Sequence, residues 1–188
     1  MLDIIQSFDE SLALFFQSIH NSITDLPMIF ITHLGDDGII WIILALILLL
    51  FKKTRKAGIM VATALIFCLV FNNLILKSLF SRERPFVVLD SIKLIIDPPS
   101  GYSFPSGHTV SSIASATALF WNFKNSCKWA AIGAVVLAVL IAFSRMYLCV
   151  HFFTDVLAGA VVGVALGIAA IALINFIYSK VGKKIKTK

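Results

Sequence analysis

Long apolar runs recur from Pro27 to the C-terminus of this 188-residue chain, with charged breaks between them. Runs of this length and composition cross a bilayer as helices. The chain is 59% hydrophobic and 14% charged, with a mean hydropathy of +0.95. That leaves too little polar surface for a soluble domain of this size. The expected architecture is all-α, a polytopic membrane helix bundle of five to six spans, with residues 1–188 forming one membrane domain.

Four segments qualify as spans on length and apolarity: Gly38 to Phe51, extended by the turns preceding it from Pro27; Ala57 to Leu76; Trp129 to Ala142; and Val156 to Tyr178. A fifth, Thr109 to Phe123, is shorter and made of smaller residues. At about 1.5 Å per residue it covers only part of a roughly 30 Å hydrocarbon core, so its outer end should begin below the membrane surface and leave room for a recessed site. Within residues 1–20, Ile4, Ile5, Phe8, Leu12, Phe15, Phe16 and Ile19 form a helical stripe beside Asp3, Gln6, Asp9, Glu10 and Gln17. This predicts an interfacial helix, with a sixth span as the alternative. The first thirty residues lack a basic n-region and a small-residue cleavage site, so no cleaved leader is expected. Cys68, Cys127 and Cys149 are not placed to pair and read as small apolar filler.

Charge gives the orientation. Eleven of the sixteen Lys and Arg residues fall on one side of the five-span arrangement, in the connections 52–56 and 124–128 and in the tail from Lys180. The positive-inside rule makes that side cytoplasmic, with the C-terminus there and the N-terminus outside. All ten acidic residues then lie at or beyond the opposite face. The net charge of +6 is therefore topological and does not point to nucleic acid. Trp121 and Trp129 bracket the second cytoplasmic connection as interface anchors. Gly159, Gly163 and Gly167 repeat every four residues, a pattern for close helix approach. Packing within the chain is the expectation, and a homodimer interface is the alternative.

Five cations remain on the outer side: Lys77, Arg82, Arg84, Lys93 and Arg145. Three of them sit in short blocks at outer helix ends. Lys77 is followed seven residues later by Arg84-Pro85. Pro105-Ser106-Gly107-His108 opens the short span. Ser144-Arg145 is followed by His151 and, four residues on, by Asp155. Lys and Arg bind a tetrahedral oxyanion, and a helix start after Pro-Ser-Gly offers free backbone N–H groups to the same charge. Asp155, one helical turn from His151, can accept its imidazole N–H and leave the other nitrogen to attack phosphorus. His108, on another helix, is free to act as general acid.

The blocks K-x6-R-P, P-S-G-H and S-R-x5-H-x3-D, spanning residues 77–155, resemble the three-part signature of the type 2 phosphatidic-acid-phosphatase (PAP2) superfamily, whose site is similar to that of the vanadium haloperoxidases. The resemblance implies a PAP2/haloperoxidase-like core and phosphate binding by Lys77, Arg84 and Arg145, helped by Ser106 and Gly107. It also implies attack by His151, oriented by Asp155, and proton transfer by His108, with no metal and no cofactor. The implied activity is hydrolysis of a lipid phosphate ester or pyrophosphate at the outer membrane face through a phosphohistidine. Undecaprenyl pyrophosphate and phosphatidylglycerol phosphate are the expected substrates, with phosphatidic acid and diacylglycerol pyrophosphate as further candidates. A lipid phosphotransferase would use the same residues. A transporter would need a polar path, which the almost wholly apolar cytoplasmic halves do not offer.

Other polar residues carry weaker expectations. His20 and His33 read as interfacial or packed, and Asp36 and Asp37 in Gly-Asp-Asp-Gly as a helix cap or break, with a metal site as the alternative. Arg82 and Lys93 read as general attraction for an anionic headgroup. The segment from Phe86 to Phe104 is the longest outer connection and is expected to gate the site or select the headgroup.

Overall fold

The computed structural model describes residues 2–186. Helix α1, Leu2–Ser18, leads to α2, Ser22–Leu34, whose first turn is capped by the Asn21 side chain accepting from the amides of Ile23 and Thr24 at 3.1 and 3.2 Å. A short turn, Asp36–Gly38, separates α2 from α3, Ile39–Leu50, and the axis bends by 44° there. Asp37 and Gly38 take positive φ values of 50° and 71°, which no α-helix accommodates. The first expected span is therefore a broken pair, with Gly-Asp-Asp-Gly as the break.

Helix α4, Arg55–Phe67, runs on through a π-helical stretch, Cys68–Leu76, into α5, Lys77–Phe80. Helix α6, Pro85–Val88, starts with proline at its first position. Helices α7, Gly107–Phe123, α8, Lys128–Tyr147, and α9, Phe153–Lys186, complete the bundle. Three stretches, Arg55–Val88, Lys128–Tyr147 and Phe153–Val181, are long and apolar enough to cross a membrane, and the bent pair supplies a fourth. Their outward faces carry exposed Leu46, Leu50, Ile66, Val139, Val161 and Ile168, as lipid-facing surfaces do.

Helix α7 is the hub, packed against α4, α8 and α9. Its buried face is small: Thr109, Ser112, Ala114, Ser115, Ala116 and Ala118. The glycines of α9 meet it directly. A Cβ at Gly163 would come within 2.8 Å of the Val110 carbonyl, and one at Gly167 within 2.8 Å of Thr117 Cβ. The glycine stripe is thus used inside the chain and is closed to a second copy. Trp41, fully buried, donates its indole N–H to Ser112 Oγ at 2.9 Å and ties α3 to α7.

Helix α1 packs across the C-terminal end of α8 and the N-terminal end of α9. Ala13 and Phe16 join Tyr147, Leu148, Val150, Phe152 and Ile92 in one apolar cluster. His20 stacks on Tyr147 with ring centroids 4.8 Å apart and bonds its carbonyl at 2.7 Å, the packed role expected of it.

Candidate active site

His151 lies in the turn between α8 and α9, four residues past Tyr147 at the end of α8 and two before Phe153, and is 3% exposed. Burial pushes its imidazole down to about 3, opposed by Asp155 and reinforced by the charges of Arg84 and Arg145. At neutral pH the ring is therefore uncharged and keeps a lone pair. Its Nδ1 lies 3.4 Å from Ser103 Oγ and 3.6 Å from Asp155 Oδ2, while Nε2 lies 3.2 Å from Arg84 Nη1. These partners place the proton on Nδ1 and the lone pair on Nε2.

Asp155 is fully buried in the first turn of α9, where the helix dipole favours a carboxylate. Its Oδ2 accepts from the Phe152 amide at 2.9 Å and from the Ser103 hydroxyl, and its Oδ1 from Arg82 Nη1 at 2.6 Å. Arg82 also donates to Asp9 Oδ2 at 2.8 Å and stacks 4.3 Å from the Phe152 ring centroid. Asp9 in turn accepts from the amide and hydroxyl of Thr154. The amino-terminal helix is thereby bolted to the back of the His151 carboxylate.

A cavity of about 850 Å³ opens in front of His151. Lys77, Arg84, Gly107, His108 and Arg145 line it at one end. Ile42, Leu46, Leu49, Leu65, Ile66 and Leu69 of α3 and α4 with its π-helical continuation line the rest. Arg145 donates to Thr32 Oγ1, yet its Nε is buried with no partner among the described residues. Such a donor is costly unless an anion takes it up. Arg84 donates to the carbonyls of Gly101, Val150 and Ser100 at 2.9, 2.9 and 3.1 Å, which fixes the loop beside His151 and brings its charge to Nε2. Gly107 and His108 present first-turn amides of α7 that have no intrahelical acceptor. The set can bind a phosphate dianion before a neutral imidazole.

On the far side, His108 Nε2 donates to Asp36 Oδ1 at 2.9 Å, and Asp36 Oδ2 accepts from His33 Nδ1 at 2.7 Å. A second cavity of about 730 Å³ shares Asp36, His108 and Arg145 with the first and is walled by His33, Asp97 and Pro99.

Residues 55–179 match the model of the PAP2 superfamily. The chain belongs to this superfamily. An undecaprenyl-diphosphatase of Sulfolobus acidocaldarius is 34% identical over 136 residues, 72% of this chain. The match spans 64% of that protein, a little under two thirds of its length. The undecaprenyl-diphosphatase BcrC of Bacillus subtilis is 33% identical over 148 residues, covering 79% of this chain and 74% of that one. The crystal structure of a transmembrane PAP2-type phosphatidylglycerolphosphate phosphatase from Bacillus subtilis superposes with a TM-score of 0.76 at 27% identity, over 93% of this chain and 88% of that one.

In this PAP2 bundle, Lys77, Arg84, Gly107, His108, Arg145 and His151 converge on one cavity. Asp155 stands behind His151, and Ser106 lies fully buried, its amide bonded to the Asp155 carbonyl at 3.1 Å and its hydroxyl accepting from Thr109 at 3.0 Å. Two expectations need correcting. The contact between His151 and Asp155 is not a direct bond within one helix, because α9 begins only at Phe153, and Ser103 sits between them. Arg82 is no free attractor of headgroups, since its guanidinium is held by two buried carboxylates. His33, expected to be interfacial or packed, is exposed and bonded to Asp36 at 2.7 Å. Ser103 and Asp9 carried no functional signal in the sequence, whereas Arg82 and Asp36 stood out there for other roles.

Proposed function

We propose that this protein removes phosphate from a membrane lipid, hydrolysing a phosphate ester or pyrophosphate at the outer face of the membrane through a phosphohistidine at His151. The observation that carries this reading is the continuity of the cavity from a cationic cradle to an apolar groove between α3 and α4. A headgroup phosphate would sit among Lys77, Arg84, Arg145 and the α7 amides while its tail lies along Ile42, Leu46 and Leu69. The relatives named undecaprenyl-diphosphatase and phosphatidylglycerolphosphate phosphatase favour undecaprenyl pyrophosphate or phosphatidylglycerol phosphate as the substrate.

The steps balance. The Nε2 lone pair of His151 forms an N–P bond as the P–O bond to the leaving group breaks, and His108 gives that oxygen a proton. Water then attacks phosphorus, the N–P bond breaks, and the water proton returns to His108. The cationic cradle stabilises the charge on the equatorial oxygens throughout. Every step runs on amino-acid side chains, so activity should persist in a chelator.

The test is phosphate release by the full chain in detergent with EDTA, against undecaprenyl pyrophosphate, phosphatidylglycerol phosphate and phosphatidic acid. It should be paired with trapping of an acid-labile, base-stable phosphoprotein. Release that survives in His151→Ala, or that needs a metal, overturns the mechanism. A lipid phosphotransferase is the second reading, favoured by the cavity that shares Asp36, His108 and Arg145 with the first and could admit an acceptor other than water. It predicts a product that appears only when an acceptor is added.

A further inference from the structure

The turn that breaks the first span does more than bend it. Asp36 is delivered by that turn to His108, more than seventy residues away in the chain, and its other oxygen is taken by His33 three residues before it. Among the described residues, Asp36 is the only carboxylate bonded to His108, whose neighbours on the cavity wall, Lys77 and Arg145, are both cations. A ring between two cations holds an extra proton only if a carboxylate faces it. The ring is also held sterically. Its Cδ2 edge lies against Gly35, where a Cβ would come within 2.8 Å of it. With that edge against the wall and Nε2 bonded to Asp36, the Nδ1 edge is left on the opposite side of the ring, and Nδ1 has no bond to another described residue.

We propose that Asp36 is a positioning residue of the reaction: it holds His108 by Nε2 so that Nδ1 carries the transferable proton, while His33 fixes the carboxylate from behind. This rests on the phosphatase reading above. As imidazolium, His108 donates from Nε2 to Asp36 and from Nδ1 to the leaving oxygen. After that transfer the Nδ1 lone pair accepts the proton of the attacking water, so His108 ends the cycle as it began. The site then contains two histidine–carboxylate pairs, one for the nucleophile and one for the acid.

A pair that serves proton donation matters most when the leaving oxygen is a poor one. The experiment compares an alkyl phosphate and a nitrophenyl phosphate carrying the same hydrocarbon tail, using the full chain in detergent, with Asp36→Asn, His33→Ala, His108→Ala and His151→Ala. In Asp36→Asn, kcat/KM on the alkyl ester should fall about 100-fold and kcat/KM on the nitrophenyl ester should stay within about fivefold of the parent, because kcat/KM reports only the steps up to release of the leaving group. His33 is exposed, so His33→Ala keeps the fold. It should lower the alkyl-to-nitrophenyl ratio of kcat/KM in the same direction, by about three- to tenfold. An unchanged ratio in either variant, or equal losses on both esters, overturns the proposal. Full activity in His151→Ala instead overturns the phosphatase mechanism itself, whatever Asp36→Asn does, so the two failures are separable.

Discussion

His151 and His108 each lean on a carboxylate, but in different media. Asp155 is 0% exposed and holds its histidine, 2% exposed, inside a closed set of donors from Arg82, Ser103 and the Phe152 amide. Asp36 is 48% exposed, touches a His33 that is 60% exposed, and reaches His108 at the boundary of two cavities. Inside the protein, where water is excluded, each hydrogen bond to Asp155 is strong and its loss is costly. At the cavity mouth the same chemistry is screened and easily reversed. The difference matches the tasks proposed for the two rings. A nucleophile needs one tautomer and one direction of attack, whereas an acid that becomes a base must exchange a proton with the leaving group and then with water.

Breaking the buried pair should have the largest effect. His151→Gln is expected to abolish phosphate release by at least about 10⁴-fold and to leave no trapped phosphoprotein. Asp155→Asn, which retains the shape but removes the charge and invites the wrong tautomer, should cost about 10³- to 10⁴-fold in kcat. If Asp36→Asn costs as much, the two pairs are equivalent and the contrast drawn here collapses. Next comes Arg82→Ala, which strands two buried carboxylates and should destabilise the fold by about 3–5 kcal/mol, read by thermal unfolding in detergent. Lys93→Ala, at an exposed position, should change it by less than about 0.5 kcal/mol.

Smaller effects sharpen the contrast. His151 is held below its ordinary value, so the unfolded chain takes up a proton at pH values where the folded chain does not. Its contribution to stability is complete above about pH 6.5 and is lost progressively as the pH falls toward about 3. Between pH 6.5 and 5 that amounts to about 2 kcal/mol, a dependence that His151→Gln should remove. Gly35→Ala should displace the His108 ring and lower kcat/KM on an alkyl ester by roughly tenfold, with far less effect on a nitrophenyl ester. Equal losses on both would mean that the glycine serves packing alone.

Much of the bundle was legible in the residues. Val156 to Tyr178 is a span because no charged side chain interrupts it, and Gly159, Gly163 and Gly167 share a face because four residues make about one turn. The start of α7 at Gly107 rather than Thr109 differs only by the first turn, whose N-cap, Ser106, makes no side-chain capping bond. The π-helical stretch Cys68–Leu76 was not legible. Its extra residue per turn is decided by packing against α7 rather than by composition. Nor was the depth of Asp9, which sits on a polar helical stripe in the sequence but is fully buried once α1 docks on Arg82 and Thr154.

The sequence by itself determined the medium, the helices, the orientation expected for them and the identity of the chemical groups, because apolarity, period and charge are properties of neighbouring residues. Tertiary structure alone decided which carboxylate meets which ring and which cation is left free for a ligand. Arg82, Arg84 and Arg145 are the same residue type in similar blocks. One is tied to two acids, one to three carbonyls, and one keeps a buried N–H with no partner among the described residues. Hydrogen bonds are made over about 3 Å, and only the folded chain brings residues seventy or more positions apart within that distance.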